Sequence, residues 1–148
     1  MADKVSKEKS KTGIQFEDAR ILIVDDNPSD RLLIKTILLN QGIKNIQEAE
    51  NVKAGAFKLH NAIGLGTKFD LLILDWNMPG KSGFEFLKEI RAEKATSDTA
   101  VIMVTSVTEA EKIRNSLDLG VVDYILKPLK HELLAEKVKK FLSRKVVS

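Results

Sequence analysis

Three stretches of this chain are apolar without interruption: Ile21-Leu22-Ile23-Val24, Leu71-Leu72-Ile73-Leu74 and Ala100-Val101-Ile102-Met103-Val104. Runs with no polar alternation read as strands covered on both faces, as in a parallel sheet with helices above and below. A fourth run, Val121-Val122-Asp123-Tyr124-Ile125-Leu126, fits the same description less cleanly, and Ile43 to Ala49 alternates imperfectly, which suits a short edge strand. Between these runs the apolar residues recur at helical spacing. Leu32, Leu33, Ile34, Ile37, Leu38 and Leu39 follow the N-terminal signal Asn27-Pro28-Ser29-Asp30 and run toward Gly42; Val52, Ala56, Phe57 and Leu59 follow Asn51. Ser82-Gly83-Phe84-Glu85 and Thr108-Glu109-Ala110-Glu111 have the spacing of capping boxes and open two more helices, the second ending near Gly120. A last helix is predicted from Leu129 to about Leu142, and Ile63 to Thr67 reads as the loop returning to the central strand. Five strands alternating with five helices define a doubly wound α/β domain.

Length and composition agree with one domain. The chain has 148 residues, 43% of them hydrophobic and 30% charged, and no run approaches the ~18 apolar residues of a membrane span. Its start, Met1-Ala2-Asp3-Lys4, lacks the apolar core of a signal peptide, so a cytoplasmic location is expected. Residues 1–18 are predicted to be a disordered, Lys- and Ser-rich tail and residues 19–148 the folded domain. There is no cysteine, and His60 and His131 stand alone in separate helices, which leaves no thiolate or imidazole metal pattern.

The net charge of +3 is placed unevenly. Residues 1–11 carry four Lys against two acids and residues 127–148 seven basic residues against two, whereas the span between has thirteen basic and seventeen acidic residues. A basic groove through the domain is therefore not expected, nor is nucleic-acid binding.

What changes the picture is where the apolar runs stop. They end on Asp25-Asp26, Asp75, Thr105 and Lys127, and the carboxyl ends of parallel strands joined by right-handed crossovers lie on one edge of the sheet. Each residue has a plain alternative: Asp25 and Asp26 as acids at a helix N-terminus, Asp75 as a turn former beside Asn77, Pro79 and Gly80, Thr105 as a cap, Lys127 as a solvated lysine, Tyr124 as rim aromatic surface. Their convergence favours chemistry. Like charges a few ångströms apart repel by ~1 to 4 kcal/mol per pair at effective dielectrics between 80 and 20, so three carboxylates need a cation. Mg²⁺ with several waters suits such a site, and Lys127 adds a fixed charge; the set is arranged to stabilise a phosphoryl group moving onto an Asp nucleophile, with Thr105 as a donor.

Asp25-Asp26, Asp75-Trp76-Asn77-Met78-Pro79, Thr105, Tyr124 and Lys127-Pro128 resemble the signature of response-regulator receiver domains of two-component signalling, the Asp-Trp-Asn-Met-Pro string being similar to that of chemotaxis receivers. The resemblance spans Ala19 to Leu142. It implies a flavodoxin-like (βα)5 three-layer sandwich with strand order 2-1-3-4-5 and a cis bond between Lys127 and Pro128. It implies that Asp75 accepts a phosphoryl group from a histidine kinase or phosphotransfer protein, and that Asp26, Asp75 and the Asn77 carbonyl hold Mg²⁺, with Asp25 acting through a water. Thr105 and Tyr124 would be switch residues, Tyr124 turning inward. Lys127 would pair with Asp75 or its phosphate.

A face of helix 4, strand 5 and helix 5, including Ala110, Ile113, Leu117, Tyr124, Leu126, Lys130 and Lys137, would bind a protein target, the flagellar motor switch being one candidate. A stand-alone monomeric switch in chemotaxis is the leading reading, with a phosphorelay intermediate, a metal-dependent phosphohydrolase and a phosphorylation-independent binding module as alternatives. Position 77 is Asn, where such a hydrolase would want a second acid. Ser82-Gly83 departs from the family's usual Asp-Gly without loss of a cap. Ser106 is larger than usual beside the switch threonine, Val107 offers no group to orient a water, so slow self-dephosphorylation is expected, and residues 62–68 are a longer segment than usual.

Overall fold

In a computed structural model, which describes residues 16–147, five parallel strands form one sheet in the order β2-β1-β3-β4-β5. The strands are β1 Arg20–Val24, β2 Asn45–Ala49, β3 Leu71–Leu74, β4 Val101–Thr105 and β5 Asp123–Leu126; the helices are α1 Pro28–Asn40, α2 Val52–Gly64, α3 Gly83–Ala92, α4 Ala110–Asp118 and α5 His131–Val147. Residues 1–15 of the expected tail lie outside the described residues. Its last part, Phe16–Asp18, forms a 3-10 turn.

The continuous apolar runs serve two cores because successive strand side chains point to opposite faces. Leu22, Val24, Leu72, Leu74, Val101 and Met103 pack against Val52 and Leu59 of α2 and Phe86, Leu87 and Ile90 of α3. Ile21, Ile23, Leu71, Ile73, Ile102 and Val104 pack on the other side against Ile34, Ile37 and Leu38 of α1 and Leu134, Val138 and Leu142 of α5. The result is the expected three-layer sandwich, and β2 is an edge strand. Helix α4 is held differently: Ser116 is its one buried residue.

The helix starts follow the cap chemistry in three cases. Asn27 Oδ1 accepts from Asp30 N at 3.0 Å, Asn51 Oδ1 from Ala54 N at 2.8 Å, and Ser82 Oγ from Glu85 N at 3.1 Å. The second capping box does not form. Helix α4 begins one residue later, its N-cap Glu109 makes no side-chain cap bond, and the Glu109 carboxylate instead pairs with Lys112 at 2.9 Å. Other ends also differ: α2 runs on to Gly64, β5 begins at Asp123 where its ladder with Ile102 starts, and α5 spans His131–Val147. The Lys127-Pro128 bond is cis.

Candidate functional site

The carboxyl edge of the sheet gathers the predicted groups through hydrogen-bond register. Asp75 N donates to Val24 O and Asp25 N to Ala49 O, so the ends of β3, β1 and β2 sit side by side, while Lys127 N donates to Thr105 O and joins the ends of β5 and β4. Carboxylate oxygens of Asp25, Asp26 and Asp75 lie within 4.8 Å of one another. Asp25 and Asp75 are buried, whereas Asp26 is exposed and lines an open cleft with Asn77, Met78, Pro79 and Ser82.

Lys127 reaches two of these carboxylates. Its Nζ donates to Asp25 Oδ2 at 2.8 Å and to Asp75 Oδ2 at 3.1 Å, and its side chain is 12% exposed, which removes the reading of a solvated lysine. Burial alone would lower the Lys127 pKa; the bonds to the carboxylates and the charges of Asp75 and Asp25 overcome it and raise it above the ordinary lysine range. At Asp25 the balance runs the other way. Burial raises its pKa, the bonds from Lys127 and from Asn27 N (2.9 Å) pull it down, and the Asp75 charge pushes it up again.

Asp75 Oδ1 is buried and has no hydrogen-bond partner among the described residues, although its other oxygen is taken by Lys127. A buried carboxylate oxygen left bare beside two more carboxylates is a donor set that fits a hard divalent cation, and Asp26 offers it an exposed ligand facing the cleft.

The switch candidates flank this centre. Thr105, fully buried at the end of β4, accepts from Val107 N at 3.4 Å. Tyr124 is half-buried: its hydroxyl donates to Val107 O at 2.8 Å, and burial, with the charges of Asp75 and Glu109, pushes its pKa up to about 12. Val107 itself faces the core, so its side chain does not reach the site. The rest of the proposed partner face differs in exposure. Leu117 and Leu126 are 51% and 43% exposed, Ala110 and Lys130 are exposed, Ile113 is half-buried, and Lys137 is tied to Asp123 at 3.2 Å.

The contacts of three residues, Asp30, Arg31 and Trp76, were not legible in the sequence. Asp30 joins the site through a 2.8 Å bond from Lys127 Nζ. Its place four residues after Asp26, on the first turn of α1, was a usable signal, but helix N-termini carry acids for their own sake. Arg31, next to it, donates to Asp25 O at 2.7 Å and approaches Glu48 of β2 at 3.4 Å, fixing the loop that carries the two aspartates. Trp76 is buried: it stacks on Phe84 with centroids 4.5 Å apart, while Lys112 of α4 lies 5.5 Å over its ring and Lys88 5.3 Å over that of Phe84.

The carboxyl edge of a doubly wound parallel sheet thus carries an acidic pocket and a largely shielded lysine. The family profile of the response regulator receiver domain matches residues 21–139, and the chain belongs to that family. It is 35% identical over 125 residues to the chemotaxis protein CheY of Pseudomonas aeruginosa (84% of this chain, 97% of the relative) and 35% identical over 128 residues to CheY-3 of Vibrio cholerae (86% and 95%). Among solved structures, a CheY-like receiver domain protein of Methanospirillum hungatei superposes with a TM-score of 0.74 at 32% identity, covering 86% of this chain and 95% of that one. The chain is thus a CheY-related receiver domain of two-component, phosphorylation-based signalling. No helix among the described residues is long and apolar enough to cross a membrane.

Proposed function

We propose that Asp75 is the phosphoacceptor of a cytoplasmic, monomeric chemotaxis-type receiver and takes its phosphoryl group from the phosphohistidine of a kinase or phosphotransfer protein. One observation carries this reading: Asp75 has one oxygen held by Lys127 and the other buried without a protein partner among the described residues, beside Asp26, which lines an open cleft. Asp26, Asp75 and the Asn77 carbonyl would hold Mg²⁺, with Asp25 acting through a water; the ion when bound neutralises charge on the phosphoryl oxygens. An Asp75 oxygen forms the bond to phosphorus as the bond from phosphorus to the histidine nitrogen breaks; the nitrogen keeps the electron pair and takes a proton from water. Lys127 stays charged throughout and offsets the charge added at Asp75.

Thr105 would donate a hydrogen bond to a phosphoryl oxygen, with the half-buried Tyr124 behind it as the second switch residue. The face that answers is α4, β5 and α5, where Leu117 and Leu126 expose apolar surface beside Lys130. The two relatives compared above are chemotaxis proteins, which supports a chemotactic target such as the flagellar motor switch. Val107 packs in the core and supplies no polar group to orient an attacking water, which supports slow self-dephosphorylation.

Incubation with a small-molecule phosphodonor and Mg²⁺ should add one phosphoryl group by intact mass. Asp75→Asn and chelated samples should gain none, and a gain in either removes Asp75 and Mg²⁺ from the mechanism. A pulldown with and without beryllofluoride then reads the switch and its partner together.

A further inference from the structure

An ammonium has three N–H donors, and all three of those on Lys127 are engaged: Asp25 and Asp30 at 2.8 Å each and Asp75 at 3.1 Å. A phosphoryl oxygen arriving on Asp75 can therefore be met by Lys127 only if one of these bonds is given up. The three carboxylates do not release it equally. The side chains of Asp25 and Asp75 are 2% and 8% exposed, so an unpaired charge on either would stay in a poorly solvated site, whereas the Asp30 side chain is 33% exposed and water replaces the lost bond. Asp30 is also held independently of Lys127. Its backbone is fixed by the Asn27 cap, and its carboxylate gains from the positive end of α1, so letting the lysine go costs the helix little.

We infer that Asp30 is a positioning residue that competes with the incoming phosphoryl group for Lys127, holding the ammonium in the unphosphorylated state and releasing it on phosphorylation. This rests on the reading of Asp75 as phosphoacceptor. Asp30 thereby sets how readily the site is phosphorylated without touching the phosphoryl group. Its neighbour Arg31 holds the β1–α1 loop through the Asp25 carbonyl, so the two adjacent side chains have separate duties: one fixes the loop, the other draws on the lysine.

The test is the rate at which the full chain is phosphorylated by a high concentration of phosphoramidate with saturating Mg²⁺, followed by intact mass. Asp30→Asn keeps the shape and removes the charge. It should be phosphorylated ~3 to 10 times faster than the wild type, the range expected when a partly exposed charge pair is removed from one side of an equilibrium. Asp30→Glu, which restores the carboxylate, should return toward the wild-type rate. In a Lys127→Ala background the Asp30→Asn gain should vanish, because the competition has lost its object.

An Asp30→Asn rate equal to or below that of the wild type overturns the inference. So does the same gain in the Lys127→Ala background, which would reduce Asp30 to a source of general repulsion. If the wild type itself takes no phosphoryl group at Asp75, the phosphoacceptor reading fails and this inference falls with it, a result distinct from a phosphorylated wild type whose Asp30→Asn variant shows no gain.

Discussion

Gly83 has no room for a side chain. A Cβ built there would lie 1.8 Å from the Asp75 carbonyl oxygen, and Gly83 N donates to Trp76 O at 2.7 Å, so the first residue of α3 is pressed against the backbone that carries the phosphoacceptor. Gly83→Ala should cost ~3 kcal/mol and lower the urea midpoint, since the clash is with backbone and no flexible tip can move aside. Ser116 is the opposite case: a fully buried hydroxyl whose oxygen has no hydrogen-bond partner among the described residues. Ser116→Ala should stabilise the protein by ~1 kcal/mol in the same measurement, because the alanine removes an unsatisfied polar atom from a place where water cannot reach it. Both effects follow from tertiary neighbours. In the sequence Gly83 is one residue of a cap signal and Ser116 a polar position on an amphipathic helix.

At the scale of elements, α4 is the loosely packed member of the fold, tied at its two ends. Near its start Lys112 sits over Trp76; past its end Arg91 of α3 donates to Leu119 O at 2.6 Å and Gly120 O at 3.4 Å, while also holding Ser97 O and Thr99 O at 3.1 and 2.6 Å. One planar guanidinium thus joins α3, the loop before β4 and the end of α4. Arg91→Ala should destabilise by ~2 to 3 kcal/mol, and Arg91→Lys should recover only part of that, because an ammonium cannot reproduce the planar fork. Amide exchange in α4 of the variant should rise more than in α1 or α5, whose apolar faces are buried against the sheet.

A second tie is sensitive to pH. His60 of α2 faces Glu93 Oε2 with Nε2 at 2.9 Å and Ala56 O with Nδ1 at 2.8 Å, two acceptors that a doubly protonated ring satisfies and a neutral one cannot. The Glu93 bond, then the Ala56 bond, raise the His60 pKa. The contribution is therefore complete below about 6.5, the ordinary histidine value, and is lost as pH rises through the raised folded value. Both side chains are about half exposed, so the gain is a few tenths of a kcal/mol. The stability difference between wild type and Glu93→Gln should be present at pH 5.5 and absent at pH 8.5; a difference that is the same at both would detach it from His60.

At the scale of the whole molecule, the acidic pocket links metal, phosphate and fold stability. A ligand that binds only the folded state stabilises it by about 2.7 kcal/mol at one hundred times its Kd. Mg²⁺ at that excess should raise the melting temperature of the wild type, chelation should reverse the shift, and Asp26→Ala, which removes an exposed ligand candidate without disturbing the Lys127 bonds, should abolish most of it. An unchanged melting temperature in the wild type would argue that the three carboxylates are balanced by Lys127 alone.

The sequence by itself determined the five βα units, the parallel sheet implied by its unbroken apolar runs, and the residue types that end those runs. These depend on short-range periodicity and on crossover handedness, which act the same way wherever the chain goes, and Asp25, Asp26, Asp75 and Lys127 were legible for that reason. Only the tertiary structure decided which partners each group takes. The third carboxylate on Lys127, the bare Oδ1 of Asp75, the Tyr124 bond to Val107 and the stacked Trp76 all depend on distances between residues remote along the chain. The failed cap at Thr108 has the same origin: Thr108-Glu109-Ala110-Glu111 has the right spacing, but α4 starts one residue later than that motif requires. Spacing specifies that a hydroxyl or a carboxylate is available near a helix start, and packing decides what it bonds to.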